Sequence, residues 1–269
     1  MTPSKVQQAS LFSAKPSNKK TAARKKTAAK KPDRFDEVWG KKPRPTVGSK
    51  LPANKRLWLS ATAIESMKRC PRCFWLEKRE GIRQPEGIVS RLANRFDGVI
   101  KQYFDLYRPH GEIPPMIAGQ VKGKLQYPFQ EKYWHAIDDR YGFFGKLDEC
   151  LVTTDGKYTP VDHKTSSSDP NGRELIPAYQ FQLNAYAFLL ERNARPTTGI
   201  GHLIYFYPSA GDRLHEGFPM SITVKTLRTD AAAVMPEIRK AITLIEGSMP
   251  SPSLECVFCQ YVDRRRALD

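Results

Sequence analysis

The sequence predicts a mixed α/β fold, a mixed sheet flanked by helices, carrying a disordered basic arm at its N-terminal side. Three observations predict it. Helical and strand-like stretches alternate from Leu57 onward, a hairpin signal stands in the middle of the chain, and the first fifty residues hold very few large apolar side chains. Alternating helices and strands pack as layers around one core, and a chain of 269 residues with 40% hydrophobic content can bury one.

The arm comes first. The net charge of +16 is unevenly placed: up to Arg56 there are 16 Lys and Arg against Asp33, Asp36 and Glu37, leaving 28 against 25 for the remainder. Residues 1–50, centred on "KKTAARKKTAAKKP", cannot bury enough apolar surface to offset ordering entropy, so disorder is expected there. Such a cluster can be a simple solubiliser or can bind nucleic acid, where counterion release rewards it. The domain is expected to run over residues 57–269.

From Leu57 the elements follow in order. "LWL" reads as a short extended piece, and Ser60 caps a helix with Ile64 and Met67 at helical spacing, interrupted at Pro71. "IVSRLANRFDGVIKQYFDLYR" places Leu92, Phe96, Val99, Ile100, Tyr103 and Phe104 on one face of an amphipathic helix that the Pro-rich "HGEIPPMIAG" ends. "YGFFGKLDECLVTT" and "KYTPVDHKT" are strand-like around a turn at Asp155-Gly156. "PAYQFQLNAYAFLLERN" is helical, "GIGHLIYFYPSA" and "FPMSITVKTL" are strands, and "DAAAVMPEIRKAITLIEGS" is a last long helix despite Pro236.

Within the hairpin, Asp148 and Asp162 lie on neighbouring strands, where their carboxylates can converge on one divalent ion. Strand side chains alternate, so Lys164 shares a face with Asp162, and the carbonyl of His163 can add a ligand. Phosphodiester hydrolysis needs oxygen ligands for a metal, an activated water and positive charge near the developing oxyanion. The plain alternative is a cross-strand salt bridge. Polar Thr165 to Ser168 beside the pair, and Gln182 with Tyr186 one turn later on the next helix, favour the metal reading.

Taken in order, "GKLDE", "VDHKT" and "QLNAY" resemble the PD-(D/E)XK nuclease superfamily, specifically the branch with the RecB nuclease domain and the CRISPR-adaptation nucleases. The likeness spans roughly Leu57 to Tyr261. It implies a restriction-endonuclease-like fold and Mg²⁺- or Mn²⁺-dependent cleavage of DNA, single-stranded or at ends, in repair, recombination or processing. Asp148 and Asp162 would bind the metal, Lys164 would orient the attacking water or stabilise charge, and Gln182 with Tyr186 would contact substrate or brace the site. The branch often carries a metal-binding His on the first long helix, and here no His stands between Leu57 and His110. Asp97 is the candidate substitute, a plain surface Asp the alternative.

Cys70-Pro71-Arg72-Cys73 and Cys256-Val257-Phe258-Cys259 are two CxxC pairs, the four thiolates of a structural zinc or an iron–sulfur centre. Independent buried cysteines are the alternative, and Cys150, alone in a strand, reads as core. Some members of the resembled branch close a [4Fe-4S] cluster from one early and three late cysteines, whereas this chain divides two and two. The resemblance tips the expectation toward iron–sulfur.

"QASLF", Gln8 to Phe12, resembles the pentapeptide that docks bacterial replication and repair proteins into the sliding clamp, with Ala9 where Leu is commoner. No apolar run approaches the ~20 residues of a membrane span, and the absence of a signal pattern suggests a cytoplasmic protein. The competing class is a catalytically silent nucleic-acid-binding protein with a stapled domain and a basic arm. Retention of Asp148, Asp162 and Lys164 together argues for the enzyme.

Overall fold

The structure, a computed structural model, describes residues 56–85, 91–210, 217 and 219–268. The expected arm and Gln8–Phe12 lie outside the described residues.

Among the described residues there are eight strands in two sheets. The chain enters by β1 (Leu57–Leu59) and α1 (Ala61–Arg69), where the Ser60 hydroxyl caps the helix by accepting from Ala63 N–H at 3.3 Å. Pro71 opens a second helix, α2 (Pro71–Arg79), at the first position, where a missing N–H costs nothing. Next come α3 (Arg91–Tyr107), β2 (Lys124–Leu125), β3 (Lys132–Ala136), β4 (Tyr141–Lys146), β5 (Glu149–Val152) and β6 (Tyr158–Thr165). The chain closes with α4 (Pro177–Arg192), β7 (Ile200–Pro208), β8 (Met220–Arg228), α5 (Val234–Glu246) and α6 (Val257–Arg266).

The larger sheet runs β2-β5-β6-β7-β8, with β6 and β7 parallel and the other pairs antiparallel; the smaller is β1-β4-β3. The mixed sheet flanked by helices is therefore as expected. The stretch read as one strand up to Val152 is two, because Leu147-Asp148 carries the chain from one sheet to the other. The turn at Asp155-Gly156 is present, with Gly156 at φ 77, a conformation that costs a Cβ-bearing residue strain.

The two faces of the larger sheet carry separate cores. On one, Leu183, Leu189 and Leu190 of α4 belong with Leu203 of β7 and Ile238 of α5; on the other, Ile100 and Phe104 of α3 belong with Leu151, Val161, Ile204 and Phe206. Each such side chain contributes about 1.5–3 kcal/mol by leaving water. Cys150 is fully buried in the first core, as expected. Pro236 sits in the first turn of α5, where it breaks no helical hydrogen bond.

Four elements depart from expectation. Leu92, assigned to the apolar face of α3, is 66% exposed, because the helix meets the core only further along. Strands β2 and β3 are short and flanked by Pro and charged residues, so no period announces them. Helix α6 buries only Cys259, so it carries no apolar stripe to read.

Candidate functional site

The site arises where β6 outruns β5. Their antiparallel pairing ends at Glu149 opposite Val161, and from Asp162 to Thr165 the strand pairs only with β7. On the vacated side the N–H of His163 donates to Asp148 Oδ2 at 3.0 Å. A residue's N–H and C=O leave an extended strand on the same side, so the His163 carbonyl is directed toward that gap as well. Side-chain alternation then divides the motif, sending Asp162 and Lys164 toward α4 and the His163 ring toward α3.

On the α4 side the predicted residues form one connected network. The Lys164 ammonium lies 2.5 Å from Asp162 Oδ2 and donates to Gln182 Oε1 at 2.8 Å. Gln182 Nε2 donates to Tyr186 OH at 2.7 Å, across one helical turn. The Tyr186 hydroxyl donates to the Lys146 carbonyl at 2.9 Å and approaches Asp162 Oδ1 at 3.4 Å. Gly145 makes this approach possible, since a Cβ there would lie 2.7 Å from Leu189 Cδ1. The ring of Tyr179 sits 4.4 Å from Lys164 Nζ.

On the α3 side, Asp97 reaches the same region. Asp97, Asp148 and His163 each offer a ligand atom, all within 4.8 Å of one another. The His163 group counted here is its imidazole, packed 4.7 Å from Phe104 and 5.7 Å from Phe206 between ring centroids, whereas the sequence suggested only its carbonyl. Lys101 was missed. Its ammonium lies 2.8 Å from both Asp97 Oδ2 and Asp148 Oδ1, and the one signal for it was the i,i+4 spacing from Asp97. Glu149 turns away from this cluster to bind the fully buried Arg108 at 2.5 Å. Arg108 also reaches Asp105 and the Gln126 carbonyl, which ties the end of α3 to the sheet and fixes Asp97 and Lys101 over the gap.

Electrostatics separate the two central carboxylates. Burial, and then repulsion from Asp148, push Asp162 up to about 7 against the pull of Lys164. Burial also acts to raise Asp148, but the charges of His163 and Lys101 outweigh it and hold the group below the ordinary range. Burial would lower Lys101, yet Asp148 and Asp97 keep it raised, and burial with the nearby carboxylates lifts Tyr186 well above its usual value. The carboxylates here are hard oxygen donors, a type that suits Mg²⁺ or Mn²⁺.

The four CxxC cysteines also meet. Cys70 and Cys73 bracket the start of α2, Cys256 and Cys259 the start of α6, and their sulfurs all lie within 4.8 Å of one another. Around them Arg72 Nε donates to the Pro250 carbonyl, and Trp75 and Arg79 bind backbone carbonyls at the end of α5. These contacts and the cysteines bring α2 beside the approach to α6.

The chain resembles several solved structures. SSO0001 matches at 20% identity over 78% of this chain and 86% of that chain, with a TM-score of 0.42. The alkaline exonuclease LHK-Exo from Laribacter hongkongensis matches at 11% identity over 78% and 93%, with a TM-score of 0.39. A phage-related exonuclease from Haemophilus somnus matches at 14% over 81% and 86%, with a TM-score of 0.37. No curated protein matches the sequence. A family model does, over residues 117–264, more than half of the chain and including every hairpin and α4 residue of the site. On that match the chain belongs to the PD-(D/E)XK nuclease superfamily.

Proposed function

We propose that the protein is a Mg²⁺- or Mn²⁺-dependent deoxyribonuclease, of the RecB-like branch, acting on single-stranded DNA or DNA ends in repair, recombination or processing. The observation that carries this is the unbroken chain of contacts from Lys164 through Asp162, Gln182 and Tyr186, beside Asp148, within the span of the family match.

Asp148, Asp162, Asp97 and the carbonyl or imidazole of His163 are the groups that would hold the ion. When bound, a divalent ion polarises the phosphate and lowers the pKa of an attacking water. The chain's own residues do the rest. Lys164, fixed between Asp162 and Gln182, places positive charge where a phosphate oxygen becomes more negative, and it can orient the water. Gln182 and Tyr186 hold that ammonium and brace Asp162. Lys101 neutralises Asp97 and Asp148 and would compete with a metal ion for both carboxylates.

The Lys-rich residues 1–50 would add phosphate contacts without sequence preference. Gln8–Phe12 would tether the enzyme to a bacterial sliding clamp. The cysteines would hold a [4Fe-4S] cluster or a structural zinc. No helix among the described residues is long and apolar enough to cross a membrane.

The test is incubation of purified protein with single- and double-stranded, linear and circular DNA in Mg²⁺, Mn²⁺ or EDTA. Cleavage of linear DNA with either ion and none in EDTA is expected. Equal cleavage in EDTA, or none with any DNA, would overturn the assignment.

A further inference from the structure

We infer that Cys70, Cys73, Cys256 and Cys259 take a single tetrahedral divalent ion of the zinc class and not a [4Fe-4S] cluster. The inference rests on the reading that the four share one metal centre, and it follows from the size of the sulfur cage. Cys70 and Cys259 Sγ are 3.8 Å apart, Cys73 and Cys256 3.6 Å, and Cys73 and Cys259 3.5 Å. All remaining pairs fall within 4.8 Å.

One zinc ion with Zn–S bonds of about 2.3 Å requires a tetrahedron of sulfurs about 3.8 Å on an edge. A cubane cluster gives each thiolate its own iron at a separate corner and so spreads the sulfurs to roughly 6 Å. The cage in this protein has the first dimension. It is also held from outside, because Arg72, Trp75 and Arg79 bind carbonyls between Ile245 and Pro250 and so fix the approach to α6. Opening every edge by some 2 Å would pull α2 and α6 apart against those contacts.

The cage offers four thiolates and a surround suited to them. Cys70 and Cys256 are the N-cap residues of α2 and α6, so two of the four thiols stand at the N-terminal ends of helices. Positive helix ends there stabilise the net negative charge of a four-thiolate zinc site. Lys68 and Arg69 stand immediately before Cys70.

The experiment uses the full chain, expressed with both iron and zinc supplied and purified without oxygen. Expected are one zinc per chain, no acid-labile sulfide and no absorbance near ~400 nm. Replacement by Co²⁺ should give the intense visible bands of tetrahedral thiolate coordination. Cys73→Ser and Cys256→Ser should each release the ion; should a variant fail to fold, stoichiometric release of zinc from the wild-type protein on thiol modification reads the same point. About four irons and four sulfides per chain would overturn the single ion while leaving the shared centre standing. No metal, with four freely titratable thiols or two disulfides, would overturn both.

Discussion

Lys101 Nζ lies 2.8 Å from Asp148 Oδ1, so a protein cation already occupies the position from which a metal would have to draw that carboxylate. The same ammonium binds Asp97, and the side chains of Lys101 and Asp148 are each only 17% exposed. Removing it with Lys101→Met takes the shared cation from Asp97 and Asp148 and leaves Asp148 to its His163 contact, a loss of about 1–3 kcal/mol for a pair between surface and core. The variant should melt below wild type in EDTA. It should gain more from Mn²⁺ than wild type does, because the ion no longer competes with an internal cation. Thermal denaturation of both proteins in EDTA and in Mn²⁺ checks this, and equal gains would count against a metal at Asp148.

Asp162 supplies a pH test. In the metal-free protein its carboxyl titrates at about 7, against 3.8 ordinarily, through burial first and Asp148 second. A raised folded pKa favours the fold fully below the unfolded value, and that favour is lost as pH climbs from about 4 through about 7. Asp162→Asn mimics the protonated acid at every pH. Its stability relative to wild type in EDTA should therefore rise between about pH 4 and pH 8 by a few kcal/mol at most, while cleavage falls below a tenth of wild type. Urea titrations at the two pH values measure it; a constant difference would refute the buried, proton-binding carboxylate.

The order of legibility in this chain is set by period. Helix α4 and strand β7 are long and mainly apolar, and the motif on the more polar β6 was readable because alternation alone places Asp162 beside Lys164. The contact of Asp148 with the His163 N–H depends on where β5 stops, which is a property of two strands and not of either sequence. Lys101 and Arg108 escaped notice for a similar reason. A Lys or Arg on a helix ordinarily serves solvent, and only packing of α3 against the sheet buries Arg108 on Glu149 and turns Lys101 toward Asp148. The cysteines were legible as pairs, but the size of their cage was not, since spacing gives ligand number without distance.

The network on α4 predicts non-additive losses. Tyr186→Phe removes the donor to the Lys146 carbonyl and the acceptor for Gln182, at about 1 kcal/mol of stability. Gln182→Ala removes the acceptor that holds Lys164. Each should lower kcat/KM by roughly tenfold by loosening the same ammonium, and the double variant should lose little more than either alone. Losses that multiply in the double variant would mean that Gln182 and Tyr186 act separately.

The arm supplies the last prediction. Residues up to Arg56 carry 16 Lys and Arg against three acidic groups, while the rest of the chain is close to neutral. If these cations neutralise phosphates, affinity for DNA must fall with salt at a slope set by how many counterions are released, about 0.9 per phosphate for duplex and 0.7 for single strands. Deleting residues 1–50 should weaken binding at low salt by at least tenfold and flatten that slope, with cleavage of saturating short substrate retained, because the hairpin and α4 residues of the site all lie beyond the deletion. Measurement of Kd between low and physiological salt for both proteins decides it. An unchanged slope would leave the arm as a solubiliser. The pentapeptide is separable within the same segment: Leu11→Ala with Phe12→Ala should leave the slope intact and abolish capture by a bacterial sliding clamp, and equal capture by this variant would remove Gln8–Phe12 from the assignment.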